Sequence, residues 1–348
     1  MTLTRNIFVG KFDDSVTECP LFLFESCNLD CNFCFLKHSI LASKENILKS
    51  VETIKSVFKE DKFKTLYFKI GGGELFADFI PDDYFKLYED IILDLQQESD
   101  NYNKKCEFFF LSNLVHHNRD RVINFFNNLK FKGCKVHLIT SFDFNSRFKT
   151  LDNLRIFREN VEFYKDMIEF VSSVITTNFV RCISESSISK QEEKELEVFN
   201  WMYDNGLNIQ IDYYTTTSKE AATTESLDSV DQIRKLYFTL IEKYPRLASN
   251  IFGEKTKAPV CVNCYEAREF NILRNCESCT YASFYKYEQE DMVIDYALKH
   301  DCFKCKYYDN CNLGCSLFFH SFKLKDDYKG CIKKEIYEYI DNNGIKLD

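Results

Sequence analysis

Cys27, Cys31 and Cys34, separated by three and then two residues, are the first side chains in this sequence whose type and spacing can do chemistry. Three thiolates suit a [4Fe–4S] cluster and leave one iron without a protein ligand, open to a small molecule. A zinc site is the alternative, with His38 as the fourth ligand it would need. A second set lies near the other end: Cys302, Cys305, Cys311 and Cys315, followed by Cys331. Upstream of these stand two CxxC pairs, Cys261/Cys264 and Cys276/Cys279, which by themselves match a zinc ribbon. That alternative leaves the five downstream cysteines unexplained.

The elements that must position these residues follow from apolar spacing. Strand-like runs are Pro20–Glu25, Thr65–Ile70, Cys106–Ser112, Lys135–Ser141, Phe170–Thr177 and Asn208–Tyr214. Helix-like stretches lie between and after them: Lys44–Lys59, Tyr84–Gln97, Arg119–Leu129, Leu151–Tyr164, Lys190–Asn205 and Ser229–Tyr244. Strand–helix units in series predict an α/β fold with a parallel sheet curled by right-handed crossovers, a partial (β/α)6 TIM-like barrel. In such a barrel the chemistry sits at the C-terminal ends of the strands. Cys27 follows the first of these ends, and Gly71-Gly72-Gly73-Glu74 the second. Ser112-Asn113 closes the third, Ser141 the fourth with Asp143 and Arg147 just beyond, and Thr176-Thr177-Asn178 the fifth. From about Pro259 the rhythm stops and the cysteine-rich segment begins. The expected division is therefore 1–250 for the barrel and 251–348 for a second domain.

Composition narrows the class. The chain has 348 residues, 45% of them hydrophobic, which is enough for a sizeable core. A net charge of −9 argues against non-specific binding to nucleic acid or to an anionic membrane. No run approaches a membrane span, and the first residues lack the apolar core of a signal peptide, so the expected location is the cytoplasm. The 16 cysteines are many for so long a chain to use as a disulfide scaffold, and metal binding is the expectation. Cys19, Cys106, Cys134 and Cys182 match no motif and are expected to be buried as small hydrophobes.

The triad with aromatic Phe33 before its last cysteine, the GGE at Gly72-Gly73-Glu74 and the polar strand ends together resemble the radical S-adenosylmethionine (SAM) superfamily. The resemblance implies that Cys27, Cys31 and Cys34 hold a [4Fe–4S] cluster whose open iron binds SAM. An electron from it would break the sulfonium C–S bond and give a 5′-deoxyadenosyl radical. Gly72, Gly73 and Glu74 would bind the methionyl amino group, where the carboxylate suits a cationic amine. Ser112 and Asn113 match a Ser-Asn pair of relatives. Ser141 would contact the ribose or carboxylate region of SAM, Arg147 would pair with its carboxylate, and Thr177 would meet the adenine. Asp143 would face the substrate. Each of these polar strand-end residues also reads as an ordinary helix cap.

The C-terminal cysteines resemble the SPASM domain of peptide-modifying radical SAM enzymes, so the likeness extends over essentially the whole chain. It implies two auxiliary [4Fe–4S] clusters: Cys302, Cys305, Cys311 and Cys331 on one, and Cys315 with three of Cys261, Cys264, Cys276 and Cys279 on the other. The spare one of those four stays open, with a weak preference for Cys261, Cys264 and Cys279 as ligands. The implied substrate is a peptide or protein, and the implied partner an electron donor such as flavodoxin or ferredoxin. Crosslinking of side chains in a ribosomally made peptide is narrowly preferred. Formylglycine formation, as in anaerobic sulfatase-maturating enzymes, is the alternative. For that reaction Glu277 would be the acid/base after Cys276, although relatives carry Asp and a glycine that this chain lacks. A reading of another class is a zinc-binding or redox interaction module without SAM chemistry.

Overall fold

The computed structural model describes residues 13–29, 31, 41–141, 176–183, 200–201, 203–205, 208–213, 230–245, 259–261, 298, 301–308, 311 and 330–346; for 13–14, 141, 176–183, 208–213, 230, 232–233, 236 and 259–261 it describes the backbone alone. The elements run β1 (Asp13–Phe22), α1 (Lys44–Ile54), β2 (Thr65–Gly71), α2 (Asp82–Asn101), β3 (Lys105–Ser112), α3 (Arg119–Phe131), β4 (Val136–Ser141), β5 (Thr176–Ile183), β6 (Asn208–Tyr213), α4 (Val230–Lys243), β7 (Pro259–Cys261) and α5 (Ile332–Asn342). No helix among them is long and apolar enough to cross a membrane.

The strands form one sheet in the order β6-β5-β4-β3-β2-β1-β7, and every neighbouring pair is parallel. Consecutive strands that sit side by side with right-handed crossovers put their helices on one face. That face is the core. Leu66, Phe68 and Ile70 of β2, Phe108 and Phe110 of β3, and Val136 and Leu138 of β4 are buried there. Phe76, in the loop after β2, packs against Phe85, Phe110, Phe125 and Phe126 with ring centroids 5.5–5.9 Å apart.

The alternate residues of the same strands face the concave side: Tyr67, Lys69, Glu107, Phe109, His137 and Ile139 are half-buried, and Leu111 is exposed. Lys69 pairs with Glu18 at 2.7 Å. His137 Nε2 lies 2.9 Å from Glu107 Oε2, and its ring stacks on Phe109 at 4.4 Å. The inside of this partial barrel is thus a wall of mixed charged and aromatic side chains and not the aliphatic filling of a closed one.

Two strand limits differ from the expectation. β1 begins at Asp13 and not at Pro20, because Glu18, neutralised by Lys69, interrupts the apolar run without interrupting the strand. β5 continues to Ile183 and does not stop at Thr177. A seventh strand, β7, adds to the free edge of β1, where Cys261 comes into register with Glu18. It belongs to the sheet although it lies in the segment assigned to the second domain. α5 returns to α4: Arg234 Nε bonds Glu335 Oε2 at 2.5 Å, and Phe238 stacks on Tyr339 at 4.0 Å.

Three of the four motif-free cysteines are core residues; the side chain of Cys182 lies outside the described residues. Cys19, Cys106 and Cys134 are buried. Burial pushes the Cys106 thiol up to about 11 and raises that of Cys134 as well.

Candidate active site

Past Phe22 the backbone of the first strand keeps running beside the end of β2. Leu23 N–H donates to Gly71 O (3.0 Å), Gly73 N–H to Phe24 O (2.8 Å) and Glu74 N–H to Ser26 O (2.9 Å). Such close approach excludes side chains at both glycines. A Cβ on Gly72 would lie 2.2 Å from Phe24 O, and one on Gly73 would lie 1.7 Å from Ser26 O. Gly72 also has φ of +147°, a conformation that favours glycine. The glycine run therefore presses the segment leading to Cys27 against the end of β2.

Glu74 anchors the next junction. It is 1% exposed. Its Oε1 accepts from Ser112 Oγ–H (2.8 Å) and Phe76 N–H (3.1 Å), and its Oε2 from Asn113 N–H (2.6 Å). The carboxylate thereby ties the end of β2 to the end of β3. Removing it leaves three donors without their partner, at about 1–3 kcal/mol each. Glu74→Ala is expected to lower the unfolding temperature of the ligand-free protein, measurable by circular dichroism. An unchanged unfolding temperature would show that the carboxylate holds nothing together.

A second link runs from the cysteine loop to the loop after β3. Asn113 Nδ2 donates to Asn28 Oδ1 (2.8 Å), Asn28 Nδ2 donates to Val115 O, and Val115 N–H donates back to Asn113 Oδ1 (2.8 Å). Leu114, between them, takes a left-handed conformation with φ of 58°. The sulfur of Cys27 accepts from Leu29 N–H (3.5 Å) and lies 3.9 Å from Asn113 Nδ2. Amide donors converging on cysteine sulfur fit a thiolate that carries iron. The sequence reading did not single out Asn28; its only signal was a two-sided amide adjacent to a candidate ligand.

His116, in the same loop, also escaped notice. It is 2% exposed, and neither ring nitrogen has a hydrogen-bond partner among the described residues. Burial, against a weaker pull from Asp78, holds its pKa down at about 4. The unfolded chain therefore takes up a proton near pH 6.5 that the folded chain refuses until about pH 4. The neutral ring's stability is complete above pH 6.5 and is lost as pH falls through that window. At about 1.4 kcal/mol per pKa unit, the loss is about 3 kcal/mol. Urea unfolding from pH 7 to pH 4 should show this slope, and His116→Leu should flatten it. An equal slope in both proteins would place the acid sensitivity elsewhere.

The structure thus brings together Cys27, Gly72, Gly73, Glu74, Ser112 and Asn113 at the C-terminal edge of the sheet; Cys31, four residues after Cys27, is half-buried against the core. Ser141 ends β4 at the same edge. Thr177 does not belong there. It is the second residue of β5 and pairs with Leu138, three residues before the end of β4, because β5 runs six residues further than the apolar run suggested. Cys34, Asp143, Arg147, Cys264, Cys276, Glu277, Cys279 and Cys315 lie outside the described residues.

Of the C-terminal cysteines, Cys302 opens a short 3-10 turn and Cys331 caps α5. Tyr307 joins the two regions. Its ring stacks on Tyr337 at 5.0 Å, its hydroxyl donates to Asp341 Oδ2 (2.6 Å), and its carbonyl accepts from Cys311 N–H (2.9 Å). The segment carrying Cys302, Cys305 and Cys311 therefore packs on the helix that Cys331 begins. Among the described residues no three His, Cys, Asp or Glu side chains converge on a site for a single metal ion.

No family model matches the chain, and no curated protein matches it by sequence. Solved structures do. Native anSMEcpe with bound AdoMet and the Cp18Cys peptide aligns over 95% of this chain and 99% of its own, with a TM-score of 0.59 at 16% identity. The same protein with AdoMet and the Kp18Cys peptide aligns over 94% and 98%, with a TM-score of 0.60 at 17% identity. With AdoMet alone it aligns over 95% and 100%, at 0.57 and 15%. The chain shares their fold over 94–95% of its length.

Proposed function

We propose that this chain is a radical SAM enzyme that modifies a peptide or protein. The observation that supports it most is the docking of the segment that leads into Cys27 against Gly72-Gly73-Glu74, with Asn113 beside the Cys27 sulfur, on a fold shared with a protein solved with AdoMet and a peptide. Cys27, Cys31 and Cys34 would hold a [4Fe–4S] cluster. When bound, the cluster and SAM supply reductive cleavage of the sulfonium bond and a 5′-deoxyadenosyl radical that takes hydrogen from carbon. The chain's own residues do the rest. Gly72 and Gly73 let the cysteine loop sit on the end of β2. Glu74, with Ser112 and Asn113, gives the adjoining edge a fixed shape beside the amine of SAM. Ser141 and Arg147 would meet the rest of that molecule, and Asp143 would face the substrate.

The inner wall sets the charged groups of Glu18, Lys69, Glu107 and His137 beside the rings of Tyr67 and Phe109, a mixture that suits a peptide. Cys302, Cys305, Cys311 and Cys331 would hold one auxiliary cluster, and Cys315 with three of Cys261, Cys264, Cys276 and Cys279 the other. The 302–311 segment packs on α5, the helix that Cys331 begins, although the four sulfurs do not converge in this structure. In the reaction preferred here, side chains of a ribosomally made peptide become crosslinked. Formylglycine formation is the second reading, favoured by the full-length likeness to a sulfatase-maturating enzyme. Flavodoxin or ferredoxin would supply electrons in the cytoplasm.

The test is anaerobic purification with iron and sulfide analysis, followed by incubation with SAM and dithionite. Iron, acid-labile sulfide and 5′-deoxyadenosine are expected. Zinc without sulfide, and no 5′-deoxyadenosine, would favour a zinc-binding module instead.

A further inference from the structure

The ring of hydrogen bonds through Asn28, Asn113 and Val115 has no evident role in holding SAM, yet it ends on sulfur. Asn113 Nδ2 is 2.8 Å from Asn28 Oδ1 and 3.9 Å from Cys27 Sγ, so one NH2 group serves both. Asn113 cannot turn away from Cys27. Its Oδ1 is held by Val115 N–H (2.8 Å) and its own N–H by Glu74 Oε2 (2.6 Å). Glu74 is in turn held by Ser112. The orientation of a single amide donor toward a cysteine sulfur is therefore fixed from three strand ends.

Resting on the cluster assignment above, we propose that Asn113, oriented by Asn28, sets the reduction potential of the iron–sulfur cluster on Cys27. An N–H aimed at a ligating sulfur stabilises the extra negative charge of the reduced cluster, and the potential rises with it. Asn113 is thus a positioning and tuning residue acting through Cys27. Leu29 N–H, at 3.5 Å, is a second donor to the same sulfur, and no side-chain substitution removes it. Asn28 Oδ1 also lies 3.8 Å from that sulfur, so substitutions of Asn113, and not of Asn28, read the amide donor.

The experiment uses the full chain reconstituted anaerobically and a dithionite redox titration followed by electron paramagnetic resonance. Only the signal that changes on adding SAM is scored, which separates this cluster from the C-terminal ones. Asn113→Ala should lower the ratio of reduced to oxidised cluster about tenfold at a fixed potential, a negative shift of about 59 mV for one electron. Asn113→Asp, equal in size but anionic, should shift it further. Asn113→Gln keeps an amide but displaces it from the sulfur and should shift it in the same direction by less; this variant decides the matter if Asn113→Ala does not fold. Midpoints equal to wild type in variants with full iron content overturn the proposal. A wild-type protein with no SAM-responsive signal would instead overturn the cluster assignment on which it rests.

Discussion

Replacing Cys27, Cys31 and Cys34 together with Ala is expected to abolish 5′-deoxyadenosine formation and to leave the protein folded. Activity should vanish because SAM would have no iron to bind. Folding should survive because the loop's fixed points are other groups: Ser26 O on Glu74 N–H, and Asn28 on Asn113 and Val115. If all three clusters are of the four-iron type, about one third of the iron should be lost. The readouts are iron content, circular dichroism and chromatographic assay of the cleaved nucleoside. Undiminished nucleoside from the triple variant would end the radical SAM assignment. Loss of all the iron would show that the C-terminal cysteines hold none.

Gly73→Ala should have the largest effect of any single methyl group on this chain. Its Cβ would stand 1.7 Å from Ser26 O, 2.3 Å from Ser26 C and 2.8 Å from Glu25 O, all backbone atoms that no rotamer change can clear. The first-strand extension must move away from β2, breaking the bonds from Gly73 N–H to Phe24 O and from Glu74 N–H to Ser26 O. Two lost backbone bonds at about 1 kcal/mol each, with about 1–3 kcal/mol of overpacking, give a destabilisation of about 3–5 kcal/mol. Cys27 follows Ser26 directly, so the cysteine loop moves with it. Gly133→Ala is the control. There φ is +82° but nothing lies within 4 Å of the added carbon, so only the conformational cost of about 1–2 kcal/mol applies. Urea unfolding of both variants, with iron content, checks the contrast. Equal destabilisation would mean that the close approach of strand ends is not what the glycine run provides.

Much of the frame was legible because its strands and helices obey simple periods. β2, β3 and β4 and helices α2 to α4 lie within a few residues of the limits that apolar spacing implies. The errors arose where a neighbour supplies what the local pattern lacks. Glu18 breaks the hydrophobic run of β1, and only Lys69, on the next strand, makes it acceptable on the inner wall. β7 is three residues long, too short for any period, and exists because β1 offers an open edge. At the site, the cysteines and the GGE were readable as local motifs. The amide ring through Asn28 and the orphaned imidazole of His116 were not, since both depend on a loop more than eighty residues from the first cysteine.

β1 leaves the ribosome well before the strand that pairs with its outer edge, which comes about 240 residues later. At about 5–20 residues per second, that edge stays open for roughly 10–50 s of synthesis. An uncovered strand edge is a template for pairing with another chain. The late three-residue strand is therefore the step at which a growing chain gives this edge of β1 a partner of its own.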